Sequence, residues 1–147
     1  MARGIALASM WAQLKVKVKV NAMPRATYFP KLEKLDTSLY LFGWGGSITD
    51  AETTFTPIYR NRGEGGIGEY NRGNYKNDKL DALAAASTQE ADPVKRKALI
   101  KQVFLEHNAN VHHIPLHRQI IPWAARNNVS VVHRADNWLE IQWVTIK

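Results

Sequence analysis

The chain has 147 residues, 45% of them hydrophobic and 22% charged, which is enough for one ordinary domain and too apolar for a disordered segment. It holds no cysteine, which excludes a disulfide framework, a thiolate zinc site and thiol catalysis, and no apolar run reaches the ~18 residues of a membrane helix. The formal charge of +7 permits nucleic acid or acidic ligands, but the basic residues are dispersed, so solvated faces are expected and a phosphate track is not.

Residues 4–14 place Ile5, Ala8, Trp11 and Leu14 at helical spacing, and the opening MARGIALASMWAQL lacks a cleavage site, so it reads as a helix and not as a signal peptide. Residues 14–20, LKVKVKV, alternate strictly and predict a half-buried strand whose lysines face water. Pro24 breaks the pattern. Residues 27–35 then predict a short helix with Thr27 as cap and Phe29, Leu32 and Leu35 on one face. Residues 38–44, SLYLFGW, predict a second strand, apolar on both faces.

Residues 45–77 are rich in Gly, Asn, Thr and Tyr and carry little periodicity. A loop of that length in a compact domain points to a functional segment, or to one organised by a ligand or partner. Residues 78–87 predict a helix starting near Asp78. Asp92-Pro93 predicts the start of a longer helix with a stripe of Leu99, Ile100, Val103, Phe104 and His107. Residues 113–125 read as extended, broken by Pro115 and Pro122, with short strands expected at 129–133 and 138–146. The order α-β-α-β-loop-α-α-β-β-β predicts an α/β (α+β) fold, a small mixed sheet covered by helices.

Several chemistries are tested by spacing. GEGGIG at 63–68 matches G-x-G-x-x-G but lacks a strand before it and a helix after it, so no dinucleotide site is expected. His107, His112, His113 and His117 crowd together in sequence. On a strand, however, His113 and His117 would stand roughly 13 Å apart, so strand histidines are expected and a metal site is not. Asp50 and Glu52 lie beside Ser47 and Thr49; turn and cap hydrogen bonds explain them as well as paired acid-base carboxylates do. No catalytic residue and no cofactor is expected, and the chain reads as a non-enzyme. A binding cleft is better supplied: Trp44, Tyr59, Tyr70 and Tyr75 with their neighbouring glycines offer aromatic surface on a loop. Core packing is the other reading of Trp44.

The stretches MWAQLKVKVKVNAMPRATYFPKLEKLD, LFGWGGSITDAETTF, YNRGNYKNDKLDALAAAS, DPVKRKALIKQVFLEHNANVHHIPLHRQIIPWAARNNV and DNWLEIQWVTIK, in this order, resemble the C-terminal part of the family 5 extracellular solute-binding proteins, the dipeptide- and oligopeptide-binding components of bacterial ABC importers. The resemblance implies a partial lobe of the type II periplasmic-binding-protein kind. Residues 1–126 would form the latter part of the second lobe, with 113–126 as hinge strand, and 127–147 a tail returning to a first lobe. It implies a periplasmic location, although no signal peptide is read in the chain, a peptide or peptide-like small-molecule ligand, and an ABC permease as partner of the whole protein. It also implies that this piece alone binds ligand weakly, since half of the cleft would lie elsewhere.

The site residues implied by the resemblance are Trp44, Gly45, Gly46, Ser47 and Asp50. The family often has an Asp three residues after the Trp, binding the peptide's α-ammonium; here that position is Ser47. Either Asp50 or Glu52 replaces it from further along the loop, or the ligand lacks a free amine there. Lys15 is a second departure, because relatives usually place Gly in that turn, where a positive φ is easily adopted. Two other expectations stand beside it. The resemblance implies that Trp123, Trp138 and Trp143 of the hinge strand and tail would lack their partners, so self-association is expected, as a homo-oligomer or strand-exchanged dimer; charge alone suggests nucleic-acid binding, the weakest of the readings.

Overall fold

A computed structural model describes residues 2–46, 48–134 and 136–147. The chain divides into two units, Met1–Gly43 with Arg72–Asn74, and Trp44–Asn71 with Tyr75–Lys147.

The first unit contains α1 (Ala2–Ala12) and α2 (Arg25–Glu33). Both helices end in the same way. After α1, the amide of Val16 bonds the carbonyl of Trp11 and that of Lys15 bonds Ala12, with Lys15 at φ +62°. After α2, Asp36 bonds Lys31 and Leu35 bonds Leu32, with Leu35 at φ +56°. These are left-handed closures that satisfy the last carbonyls and normally use glycine; the strain foreseen at Lys15 is present. α2 begins after Pro24, which occupies the cap position without a side-chain bond, so Thr27 is not the cap. Leu32 is fully buried. Around it, Phe29 meets Tyr28 and Phe42 edge-on, the Tyr28 hydroxyl donates to the Leu41 carbonyl, and Arg72 pairs with Glu33.

The second unit carries α3 (Glu52–Thr54), a π-helical turn (Phe55–Tyr59), α4 (Asp78–Gln89), α5 (Pro93–Asn110), β1 (Val129–Ser130), a 3₁₀ turn (Ile141–Trp143) and β2 (Thr145–Ile146). α4 starts at Asp78 as its sequence predicts, and is capped by Asn77, whose side chain accepts from the Leu80 amide. α5 is capped by Asp92 with Pro93 in its first turn, as its sequence predicts. The two helices pack together around Phe55, Leu80, Ala84 and Val103, with Ala51, Tyr59, Leu83 and Ile100 at the margin. Of the stripe expected on α5, Val103 and His107 are buried; Leu99, Ile100 and Phe104 are half-buried.

Residues 60–71 form a loop built from its own polar groups. Gly68 sits at φ +60°, and a Cβ there would lie 2.5–2.6 Å from the carbonyl oxygens of Asn61 and Arg60. Glycine is therefore required at 68 by backbone packing, which gives the GEGGIG stretch a structural use. The fully buried Asn71 donates to the carbonyls of Arg60 and Tyr75 and accepts from the Tyr75 amide. Asp81 on α4 holds Arg60 through two 3.0 Å bonds and accepts from the Asn61 amide. The segment expected to be functional, or organised by a ligand or partner, is held by its own polar groups together with Asp81 of α4.

The fold is mixed and helix-rich, in keeping with the α/β (α+β) class, but its sheet is smaller than the pattern predicts. The one ladder among the described residues is antiparallel β1–β2, pairing Val129 with Ile146 and Ser130 with Thr145. Residues 16–20, 38–44 and 113–126 form no strand among the described residues, so the expected hinge strand and the two earlier strands are corrected. The physical reason is that a strand is completed by hydrogen bonds to a neighbour. An alternating sequence such as LKVKVKV supplies one side of that ladder only.

Candidate functional site

Trp44 begins the second unit, where the apolar residues 39–42 give way to glycines. Its indole N–H donates to the Thr53 carbonyl at 3.2 Å, and its ring lies 5.2 Å from that of Tyr70, tilted by 50°. It is 40% exposed. Core packing therefore does not fully account for it: the ring is held by Thr53 and Tyr70 and still part-exposed. Gly46 is confined by its neighbours, since a Cβ would stand 2.8 Å from the Thr53 hydroxyl and 3.1 Å from the Ile48 carbonyl. Gly45 faces open space. Ser47 lies outside the described residues.

Asp50 has a partner on each oxygen. Arg96 of α5 grips it with two bonds of 2.8 and 3.0 Å, and the Glu52 amide donates to it at 2.9 Å. Arg96 also donates to the Ser87 carbonyl at the end of α4 and lies 3.6 Å from Glu52. The hydrogen bonds from Arg96 hold the Asp50 carboxyl below the usual carboxylate range. Thr53 bonds back to the Asp50 carbonyl. This is an Asx-type turn that opens α3 and is tied to the α4–α5 pair by a forked ion pair, a geometry that Arg and a carboxylate make well. Asp50 and Glu52 thus both face Arg96, a partner that sequence spacing did not reveal.

The four aromatics named from the sequence separate into two groups. Tyr70 stays with Trp44. Tyr59 and Tyr75 instead lie flat against histidines: Tyr59 on His107 with ring centroids 3.8 Å apart, and Tyr75 on His112 at 3.9 Å. His107 Nε2 and His113 Nδ1 are 2.9 Å apart. The pair that meets is His107 with His113, not the His113 and His117 weighed from the sequence, because Val111 at φ +50° ends α5 and folds residues 112–113 back onto its last turn; residues 113–117 form no strand among the described residues. Burial lowers the His107 pKa and lowers those of His112 and His113 to about 4. Among the described residues no group of three or more His, Cys, Asp or Glu is placed to hold a metal ion.

No family model matches the chain, and no solved structure matches it. Over 116 residues, 78% of its length, it is 30% identical to a protein of Escherichia coli (strain K12) described as the probable deoxycholate-binding periplasmic protein YgiS. The chain is similar to part of a periplasmic binding protein. It spans about a fifth of that relative, 21%, so the likeness supports a binding role for a small molecule and a periplasmic setting in coarse terms. No described helix is long and apolar enough to cross a membrane.

Proposed function

We propose that this chain forms part of the ligand-holding lobe of a periplasmic solute receptor of the family 5 kind, which delivers its ligand to the permease of an ABC importer. It performs no chemistry. Ligand would be held between two lobes, and closure would be the population shift that binding drives. The observation that carries this reading is Trp44: a half-exposed indole, fixed by Thr53 and backed by Tyr70, beside a glycine turn. Such a ring offers a large apolar contact surface at low entropy cost.

The same loop favours a ligand with an apolar body and no free amine. The position three residues after Trp44 is Ser, which cannot neutralise an ammonium, and the Asp50 carboxylate is engaged by Arg96. An anionic steroid of the kind in the relative's name suits these features better than a dipeptide does. Trp44, Gly45, Gly46 and Ser47 would line the ligand, and Asp50 would position the loop.

Calorimetry tests both halves of the reading, with the chain alone and with the chain exchanged for the matching 116-residue stretch of the relative. We expect the chimera to bind deoxycholate below its micelle concentration and to lose at least about tenfold in affinity with Trp44→Ala. The chain alone should bind weakly or not at all. Micromolar binding by the chain alone would refute the shared cleft, and preference of the chimera for dipeptides would refute the ligand class.

A second reading has its own observation. Ile120 is 90% exposed and Ile141 80%, Trp138 and Trp143 are exposed, and β1–β2 is a two-residue ladder with open edges. Such surfaces favour association with a second copy. A sedimentation profile that stays monomeric at high concentration disposes of it.

A further inference from the structure

We propose that His107 and His113 form a proton-operated fastener that holds the chain after α5 against the helical core of its own unit, and that acid releases it.

The geometry is specific. His107 is buried on the last turn of α5. Val111 reverses the chain, and His113 returns so that its Nδ1 faces His107 Nε2 at 2.9 Å. One proton lies between two nitrogens, so one imidazole must supply a lone pair. Asn108 Oδ1 is 3.4 Å from His107 Nδ1; a proton on that nitrogen makes His107 Nε2 the acceptor and His113 the donor. Protonating both rings removes the acceptor and sets two like charges against each other.

Little around the pair would offset that charge. Tyr59, from the π-helical turn, lies over His107 and is 5.4 Å from His113. Tyr75, from the loop before α4, lies over His112, which meets His113 edge-on at 4.3 Å. Both phenols are neutral in acid. His112 Nε2 is shut off from solvent and has no hydrogen-bond partner. On α5, Glu106 is occupied by Lys79 of α4, Asn77 and Asn110. Among the described residues no carboxylate bonds any of the three imidazoles. The depressed pKa values of His112 and His113, about 4, agree with this arrangement. At neutral pH the fastener is closed; as pH falls from 6.5 through 4 it takes up protons and opens, freeing the segment that starts at residue 112.

Backbone ¹⁵N relaxation of the chain between pH 7 and pH 3.5 tests this, because it reads the order of residues 112–114 whether or not their amides are bonded. We expect their order parameters to fall from about 0.85 to below about 0.6 in acid, with α4 unchanged. The double variant H107Q/H113N, whose amides can bond without titrating, should keep residues 112–114 ordered over the same range. Order that is unchanged in the wild type, or lost equally in the double variant, would overturn the proposal. If the variant does not fold, ring-proton titration of the wild type decides: depressed histidine values that move together with the loss of order support it, and ordinary values near 6.5 sink it.

Discussion

Residues 50–111 and residues 114–147 both contain many large apolar side chains, yet they meet different fates. In the first region Phe55, Leu80, Ala84 and Val103 exclude water completely. In the second, Leu116, Ile120, Ile121, Trp138, Ile141 and Ile146 remain exposed, and the only regular pairing among the described residues is two residues against two. The difference lies in pattern and not in hydrophobicity. α4 and α5 each present one apolar face, and a short connection brings those faces together. The later segment is extended and broken by Pro115 and Pro122; its apolar residues have no second surface to meet.

The sharpest way to break this comparison is to remove equal chemistry from each side. Phe55→Ala should cost about 3–5 kcal/mol in denaturant unfolding because it leaves a cavity in a closed core. Ile120→Ala should change stability by less than ~0.5 kcal/mol, as surface changes do. Comparable losses at the two sites would show that the later segment has a buried surface of its own.

Acid should loosen the first region in two stages, beginning with the two histidines folded back onto its end. His112 and His113, held at about 4 against an ordinary 6.5, accept protons more readily in the unfolded chain. The stability they contribute is complete above pH 6.5 and is lost as pH falls from 6.5 through 4. Asp50 and Asp81, lowered from 3.8 chiefly by hydrogen bonds from Arg96 and Arg60, keep their contribution above 3.8 and lose it below. Thermal melts should therefore fall in two stages between pH 7 and pH 3. The upper stage should vanish when His107, His112 and His113 are all replaced by Asn; its persistence would place the titrating group elsewhere.

Smaller effects separate local from tertiary causes. Asp92→Ala removes the cap on the Val94 and Lys95 amides and should cost about 1 kcal/mol, seen as lower helix content and an earlier melt. Lys15→Gly relieves the left-handed turn after α1 and should gain about 0.5 kcal/mol once glycine's larger unfolded freedom is deducted. Circular dichroism should show no new strand, because residues 16–20 have no strand beside them to bond among the described residues. New strand signal would mean that strain at Lys15 had suppressed it.

The helices were legible for local reasons. Asp92-Pro93 is a cap and a first turn, and α5 runs from Pro93 as that pair predicts. The unusual backbone at Lys15 was legible too, because a turn where relatives carry Gly implies a positive φ. Of the candidate site, Trp44 and its glycines stand out in sequence as an aromatic beside a turn. Four contacts did not: Arg96 is 46 residues from Asp50, Tyr59 and Tyr75 each face a histidine instead of Trp44, and His113 meets His107 only through the reversal at Val111. The only available signal for the last was the helical end before a His-His pair.

The sequence by itself determined the short-range features: where α4 and α5 lie, that Gly68 occupies a loop, and that no thiol chemistry is available. These depend on capping, periodicity and side-chain chemistry within a few residues. The tertiary structure alone decided whether alternating segments became strands, which carboxylate met which guanidinium, and which aromatic ring stayed part-exposed. Each of those depends on a partner distant in the chain, and hydrogen-bond ladders, ion pairs and buried faces exist only when both halves are in place.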